Sequence, residues 1–275
     1  MRLAAADRRG PGRGDALMTW LRGHPVVTFF VVTFVVAWAF VPFGSFGAFA
    51  PLLGALVVAP LCGGRAGLRE LGSRLIRWRV GWYWYAVAFG LPLGVHVVTA
   101  ILGIPAVGAP SVTLSSVGSF LLVFAIRLVN PLDGPLGEEP GWRGFALPGL
   151  QARLSPLAAT AILAVVVTVW HVPLVFFEEG GTTPTFLIYF TVTTVAVTFW
   201  YSWLFNHTRG SVLLVLIAHS VEGSIQTSGP VLIYTGVWVV VALGLVLLDL
   251  QHWRGRAPAE AQTSRSADRP EITFS

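Results

Sequence analysis

The sequence has 275 residues, of which 55% are hydrophobic and only 11% are charged. The mean hydropathy of +0.72, with eleven Trp and eighteen Phe residues, excludes an ordinary soluble domain. The net charge of +5 does not indicate a nucleic-acid partner, because the basic residues are divided among separate connections along the chain. We therefore expect membrane lipids, and no nucleic acid, among the partners.

Long apolar runs recur from residue 25 onwards. A membrane-spanning helix needs about 20 apolar residues, and a chain in lipid must satisfy its backbone hydrogen bonds internally, which favours helices. The sequence therefore predicts an all-α fold, a polytopic membrane helix bundle with about eight transmembrane helices. The predicted spans are 25–42, 46–63, 81–103, 112–131, 156–177, 184–205, 211–228 and 231–250.

The basic residues are all Arg, and they concentrate in alternate connections. Five precede the first run and five lie between the second and third runs, whereas the connections near 43–45, 104–111, 178–183 and 229–230 contain none. This is the positive-inside pattern of an even number of spans, and it predicts that both termini are cytoplasmic. We expect an integral, multi-pass protein of the plasma membrane.

Three segments are predicted along the chain. Residues 1–24 form a basic cytosolic N-terminus, residues 25–250 form one transmembrane domain, and residues 251–275 form a disordered cytosolic tail.

The fourth run is interrupted soon after it becomes long enough to span. Proline at 131 and 135 would break a straight helix. Asp133 could cap a new helix that begins near Pro135 and ends near Arg153. We therefore predict a bent, two-piece fourth helix.

Ionisable residues inside the apolar region are the candidates for chemistry. Glu138 lies 15 residues before Arg153, and His171 lies 15 residues after Pro156. At about 1.5 Å per residue, both lie roughly 22 Å from that turn, so two antiparallel helices place them at one depth. His219 lies inside a later run, and Glu139 is spaced to pair with Arg143 four residues on. Buried ionisable groups are costly in a membrane and commonly mark functional sites.

Three ordered motifs carry a resemblance to a known family. Glu138-Glu139-Pro-Gly-Trp142-Arg143-Gly-Phe resembles the E-E-x-x-W-R-G-[FY] motif of the CPBP family, also called the CAAX protease or Abi family. Trp170-His171-Val-Pro resembles its second motif, and the helix that contains His219 resembles its third. The family includes the type II CAAX prenyl endopeptidase, and the resemblance covers about residues 112–228.

The resemblance implies an intramembrane endopeptidase that cleaves a membrane-bound or lipidated peptide substrate near the cytosolic leaflet. Glu138 with His171 would activate water, the pair of Glu139 and Arg143 would lock the helix, and His219 would stabilise the oxyanion. Two Trp residues and one Glu that flank this site are candidate substrate-binding residues: Trp142, Trp170 and Glu222.

One position departs from the family pattern. The Asn or Asp expected four residues after His219 is Gly223, although Glu222 lies on nearly the same helix face.

Two questions stay open at the level of sequence. The cofactor is unknown: Glu138, His171 and His219 could hold Zn²⁺ with an open position for water, or the glutamate could act without a metal. The alternative to an enzyme is a non-catalytic polytopic binding or scaffold protein, or a small transporter, that reuses the fold. Convergence of the three side chains on one cavity would favour the enzyme.

Overall fold

The structure is a computed structural model, and it describes residues 13–107, 114–132, 134–177, 183–225 and 230–255. Within these ranges the secondary structure is helical, without a β-strand. The α-helices are α1 (Arg13–Gly23), α2 (Pro25–Trp38), α3 (Ala50–Leu75), α4 (Trp82–Val107), α5 (Leu114–Val129), α6 (Gly134–Gly141), α7 (Leu147–Gln151), α8 (Pro156–His171), α9 (Pro184–His207), α10 (Val212–Glu222), α11 (Val231–Leu248) and α12 (Leu250–Arg254).

The all-helical membrane bundle is confirmed, with seven candidate spans among the described residues instead of about eight. The difference is the predicted span 211–228, because its described helix, α10, has only eleven residues. At 1.5 Å per residue α10 is about 16 Å long, which is roughly half the hydrocarbon thickness of a bilayer.

The fourth element is bent and divided, as the prolines predict. Helix α5 ends at Val129 and α6 begins at Gly134, and a π-helical turn over Trp142–Ala146 joins α6 to α7, which ends at Gln151. Such π-helical turns are frequent at functional sites. The predicted capping role of Asp133 falls outside the described residues.

The Arg-carrying connections meet at one end of the bundle. Ser211 donates a hydrogen bond from its Oγ to the Arg77 carbonyl at 2.6 Å, and Arg209 donates to the Arg79 carbonyl at 2.9 Å. The end of α9 contacts the end of α11, because His207 Nε2 lies 3.0 Å from Asp249 Oδ2. We call residues 74–79, 207–211 and 249–254 the Arg-rich end. Its cytoplasmic orientation, and that of both termini, stays a prediction.

Glycines allow α6 to lie directly against α3 and its N-terminal flank. A Cβ atom at Gly137 would come within 2.8 Å of the Ala48 carbonyl oxygen, and one at Gly141 would overlap the backbone of Pro51. Small residues four positions apart are typical of membrane helices in close contact. This contact buries α6, and with it Glu138 and Glu139, inside the bundle.

Candidate active site

The centre of the site is a buried network of Glu139, Arg143 and His219. Arg143 donates from Nη1 to both carboxylate oxygens of Glu139, at 3.0 and 3.1 Å. The Glu139 side chain is 0% exposed and that of Arg143 is 2% exposed. His219 Nδ1 lies 2.8 Å from Glu139 Oε1, and because a carboxylate accepts, Nδ1 carries the hydrogen. Glu139 therefore compensates the charge of Arg143 and fixes the imidazole of His219.

A second contact joins Glu138 to His171, which lie at matched depth as the residue count predicts. Glu138 Oε2 is 3.7 Å from His171 Nε2. His171 Nδ1 lies 2.8 Å from the Val167 carbonyl oxygen, to which it donates, so its Nε2 carries the lone pair in the neutral ring. The separation exceeds a direct hydrogen bond, and a water molecule beside the pair can contact both atoms at about 2.8 Å.

Both contacts face one cavity of about 330 Å³. Glu138, His171, His219 and Glu222 contribute to its polar wall, together with Arg143. Three threonines and a set of aromatic and aliphatic side chains form the rest: Thr193, Thr194, Thr198, Val167, Phe186, Tyr189, Phe190, Val197, Tyr201, Val231 and Tyr234. The three side chains that the sequence singled out therefore converge on one cavity, which is the arrangement that favours an enzyme.

Three tyrosines line this cavity that were not singled out from the sequence, Tyr189, Tyr201 and Tyr234, and two of them contact its ionisable groups. The Tyr201 ring stacks on His219 with centroids 5.0 Å apart, and Arg143 Cζ lies 5.0 Å from the centre of the same ring. Tyr234 donates a hydrogen bond to Glu222 Oε1. A tyrosine inside an apolar helix is the feature of the sequence that could have indicated them. Tyrosines also occur at membrane interfaces, so this feature alone does not identify a site residue.

Glu222 is held from two helices. Besides the Tyr234 hydroxyl on α11, His96 on α4 contacts its backbone, with Nε2 3.2 Å from the Glu222 carbonyl oxygen. These contacts place the Glu222 carboxylate at the cavity wall beside the position where the family pattern has Asn or Asp.

The space beside Gly223 is taken by Arg127. A Cβ atom at Gly223 would lie 2.5 Å from Arg127 Nη2 and 2.7 Å from its Cζ. A Cβ atom at Gly134 would lie 2.9 Å from the same nitrogen and 3.7 Å from Glu138 Oε1. The guanidinium of Arg127 therefore lies between the end of α10 and the start of α6, the helix that carries Glu138.

The two motif tryptophans lie behind the cavity wall. Trp142 and Trp170 are both 0% exposed, and their rings contact edge to face with centroids 5.4 Å apart. They are absent from the residues that line the cavity within the described part of the chain. Their contact with substrate stays a prediction, and their observed ring contacts include those with each other, with Phe29 and Phe46, and, for Trp170, with His171.

Glu138 and His171 lie away from the Arg-rich end, although the cavity extends towards it. His171 is the last residue of α8, whose first residue follows the Arg153 turn. The cavity is lined by Phe186 and Val231, near the starts of α9 and α11, and also by Tyr201, six residues before His207 at the end of α9. Cleavage near the cytosolic leaflet stays a prediction.

Glu138, His171 and His219 are the donors that a catalytic zinc ion would use at this site. Catalytic zinc is usually held by three protein ligands around 2.0–2.2 Å from the ion. Glu138 and His171 approach each other, but the ligand atoms of the three residues do not form one compact group among the described residues. The arrangement therefore does not fit a three-ligand site, and the chemistry of the site is derived from the side chains alone.

Residues 117–223, which contain all three motifs, match the family model described as "Type II CAAX prenyl endopeptidase Rce1-like". The resemblance to the CAAX protease family is confirmed. CAAX prenyl protease 2 of Methanococcus maripaludis is 29% identical to the chain over 175 residues. The similarity covers 59% of this chain and 65% of that protein, so the chain spans a little under two thirds of the relative's length.

The region that matches the CAAX protease family coincides with the site. It runs from α5 to the residue after α10, so it includes the bent element, the second motif on α8 and the third motif on α10. Together with the seven candidate spans, the family match identifies an integral, multi-pass membrane protein.

Proposed function

We propose that the chain is an intramembrane endopeptidase of the CAAX protease type, which hydrolyses a peptide bond of a membrane-bound or lipidated substrate. One observation carries the proposal: Glu138, His171 and His219 line one cavity, and His219 is bound by its own buried carboxylate, Glu139. A base and an electrophilic group at one cavity are what hydrolysis of an amide requires.

Water attack is assigned to Glu138 and His171. A water molecule held by Glu138 Oε2 and the His171 Nε2 lone pair would lose a proton to the Glu138 carboxylate as its oxygen bonds to the carbonyl carbon. The same proton would pass to the nitrogen of the leaving amine when the carbon–nitrogen bond breaks. The carboxylate is thereby regenerated, and the products are a carboxylic acid and an amine.

Stabilisation of the oxyanion is assigned to His219. Its Nδ1–H is donated to Glu139, so its Nε2 can donate towards the cavity when the ring is protonated. A buried carboxylate behind an imidazole stabilises the imidazolium and fixes its orientation, as in the serine protease triad. Arg143, which holds Glu139 from the other side, acts through that carboxylate as a positioning residue.

The substrate we propose is a peptide that carries a lipid. The Methanococcus relative is a CAAX prenyl protease by name, and the apolar side of the cavity, which includes Phe186, Phe190 and Val231, suits an isoprenoid or acyl group. Membrane lipids surround the bundle, and the plasma membrane is the proposed location. A zinc ion also stays a prediction for this site.

Convergence of Glu138, His171 and His219 on one cavity favours an enzyme over the alternatives of a scaffold or a small transporter. A transporter of this size would instead need polar groups that line a route through the bundle.

The function is tested with the purified full chain in mixed micelles, where membrane orientation does not restrict access. We expect cleavage of a farnesylated C-terminal peptide to exceed that of the unprenylated peptide by at least tenfold in kcat/KM. Each buried CH₂ contributes about 0.8 kcal/mol, so burial of only two such groups gives a tenfold effect. Absence of cleavage of both peptides and of an acylated analogue, by chain that is folded, would contradict the proposal.

A further inference from the structure

A second cluster of ionisable residues lies at the Arg-rich end and has no part in the proposed reaction. His207 ends α9, Asp249 follows α11, and His252 belongs to α12. One ligand atom from each of these residues lies within 4.8 Å of the others. The side chains of His207 and Asp249 are 24% and 30% exposed, so an ion can reach them.

His207 and Asp249 are already oriented as ligands. His207 Nδ1 lies 2.9 Å from the Trp203 carbonyl oxygen, to which it donates, and this leaves Nε2 directed at Asp249 Oδ2, 3.0 Å away. Trp203 Nε1 donates to the same carboxylate oxygen at 3.0 Å. Metal-binding histidines almost always donate their second nitrogen to a carbonyl or carboxylate, and metal-binding carboxylates are themselves hydrogen-bonded.

His252 adds an independent observation. Its Nε2 is buried and has no hydrogen-bond partner among the described residues. The rings of His252 and His207 have centroids 4.5 Å apart. Nitrogen and oxygen ligands around a tetrahedral zinc ion are about 3.4 Å apart, given metal–ligand distances near 2.1 Å. Binding would release the proton that His207 Nε2 shares with Asp249 Oδ2, 3.0 Å away, to solvent, and would move these two atoms a few tenths of an ångström apart. A small movement of α12 would then bring His252 Nε2 to the ion, which would give this nitrogen a partner.

We propose that His207, Asp249 and His252 bind a first-row divalent metal ion, of which Zn²⁺ is the probe. Two imidazoles and one carboxylate suit such ions, and the adjoining cavity of about 400 Å³, lined in part by His207 and Asp249, leaves room for a water ligand. The ion would join the ends of α9 and α11 to α12 and would stabilise the Arg-rich end of the bundle.

The test is Zn²⁺ titration of the full chain in detergent, in a Glu138→Gln background that weakens any metal binding at the catalytic site. We expect one Zn²⁺ per chain and a rise in the midpoint of thermal unfolding as Zn²⁺ is added. Loss of an indirect ligand contact commonly weakens metal binding 10–100-fold. We expect His252→Ala, which removes a direct ligand, to weaken it by at least about 100-fold and to abolish the thermal shift.

His24→Ala is the matched control, because His24 is exposed and its Nδ1 bonds to the Trp20 carbonyl oxygen. It should leave the Zn²⁺ affinity unchanged. His252→Gln keeps the bulk of the side chain, so it separates metal loss from misfolding. Equal Zn²⁺ affinity in the parent, His252→Ala and His207→Ala would overturn the proposal and leave an ion pair of His207 and Asp249 only.

A second inference rests on the proposed function and concerns the departure at Gly223. We infer that Arg127 takes the place of the side chain that the family pattern has at position 223. Its guanidinium fills the space that a Cβ at Gly223 would enter, and it also lies against Gly134, at the start of the helix that carries Glu138. A fixed cation in this place orients Glu138, so Arg127 is a positioning residue that acts through the base.

The test is a double-mutant cycle on kcat for a lipidated peptide. Gly223→Asn places a side chain against Arg127 and should lower kcat by at least about tenfold, and Arg127→Leu should do likewise. In the double variant Arg127→Leu with Gly223→Asn, the guanidinium no longer fills the space beside position 223, so the asparagine side chain can occupy it. We expect a higher kcat in the double variant than in either single variant.

Recovery of kcat in the double variant would show that Arg127 replaces the side chain that the family pattern has at position 223. A merely structural role of Arg127 would give no such recovery. Independent losses, which multiply in the double variant, would overturn this inference while the activity of the wild type still supports the proposed function. If the wild type cleaves no substrate at all, the proposed function itself has failed. Thermal midpoints of all four proteins show whether a loss of kcat follows from unfolding.

Discussion

Glu138→Gln should lower kcat for a lipidated peptide by about 10²–10⁴-fold, because the amide keeps the shape of the side chain but cannot take a proton from water. The Glu138 carboxylate faces the cavity and lies 3.7 Å from His171 Nε2. Since the substitution is isosteric and leaves the ion pair of Glu139 and Arg143 in place, we expect the midpoint of thermal unfolding to change little. The measurement is single-turnover cleavage in mixed micelles, with thermal unfolding of the same preparations.

Glu70→Gln is the matched control for that prediction. Glu70 pairs with Arg74 at the surface, and its side chain is 55% exposed. An exposed pair contributes at most about 1 kcal/mol, so this variant should keep both activity and stability. If Glu138→Gln cleaves the peptide as fast as Glu70→Gln and the wild type, Glu138 is not the general base, and the proposed mechanism is wrong.

Residue counting predicted the contact of Glu138 with His171 because it needs only two facts. The rise per residue of a helix is nearly constant, and the turn near Arg153 fixes a common origin for the two antiparallel elements. The pair of Glu139 and Arg143 follows from helix spacing alone. The residues of these two pairs are close in sequence or lie on elements joined by one turn. Their contacts can therefore be predicted before the tertiary structure is known.

Other parts of the site depend on contacts that spacing does not encode. The approach of Arg127 to Gly223, and the hydrogen bond from Tyr234 to Glu222, join residues on different helices whose rotation is set by packing. The apolar run 211–228 also looked like a span, because hydropathy records composition and does not show that the helix ends at Glu222. The end of a helix such as α10 depends on tertiary contacts of the residues at that end, and hydropathy does not record these contacts.

Glu139→Gln should destabilise the protein far more than the neighbouring change at Glu138. Removal of one member of a buried ion pair costs about 3–5 kcal/mol, because the partner charge is left uncompensated in a low-dielectric interior. Arg143 is 2% exposed, and its Nε and Nη2 have no hydrogen-bond partner among the described residues. At about 2–4 °C per kcal/mol, the thermal midpoint should fall by roughly 6–20 °C.

The combination of Glu139→Gln with Arg143→Met separates charge from packing. If the uncompensated guanidinium causes the loss, removing it should recover much of the stability, since a buried ion pair replaced by apolar groups is often neutral in stability. Activity should stay low in the double variant, because His219 no longer has a carboxylate behind its imidazole. A double variant that is less stable than Glu139→Gln would instead show that Arg143 contributes mainly through its contact with the Tyr201 ring.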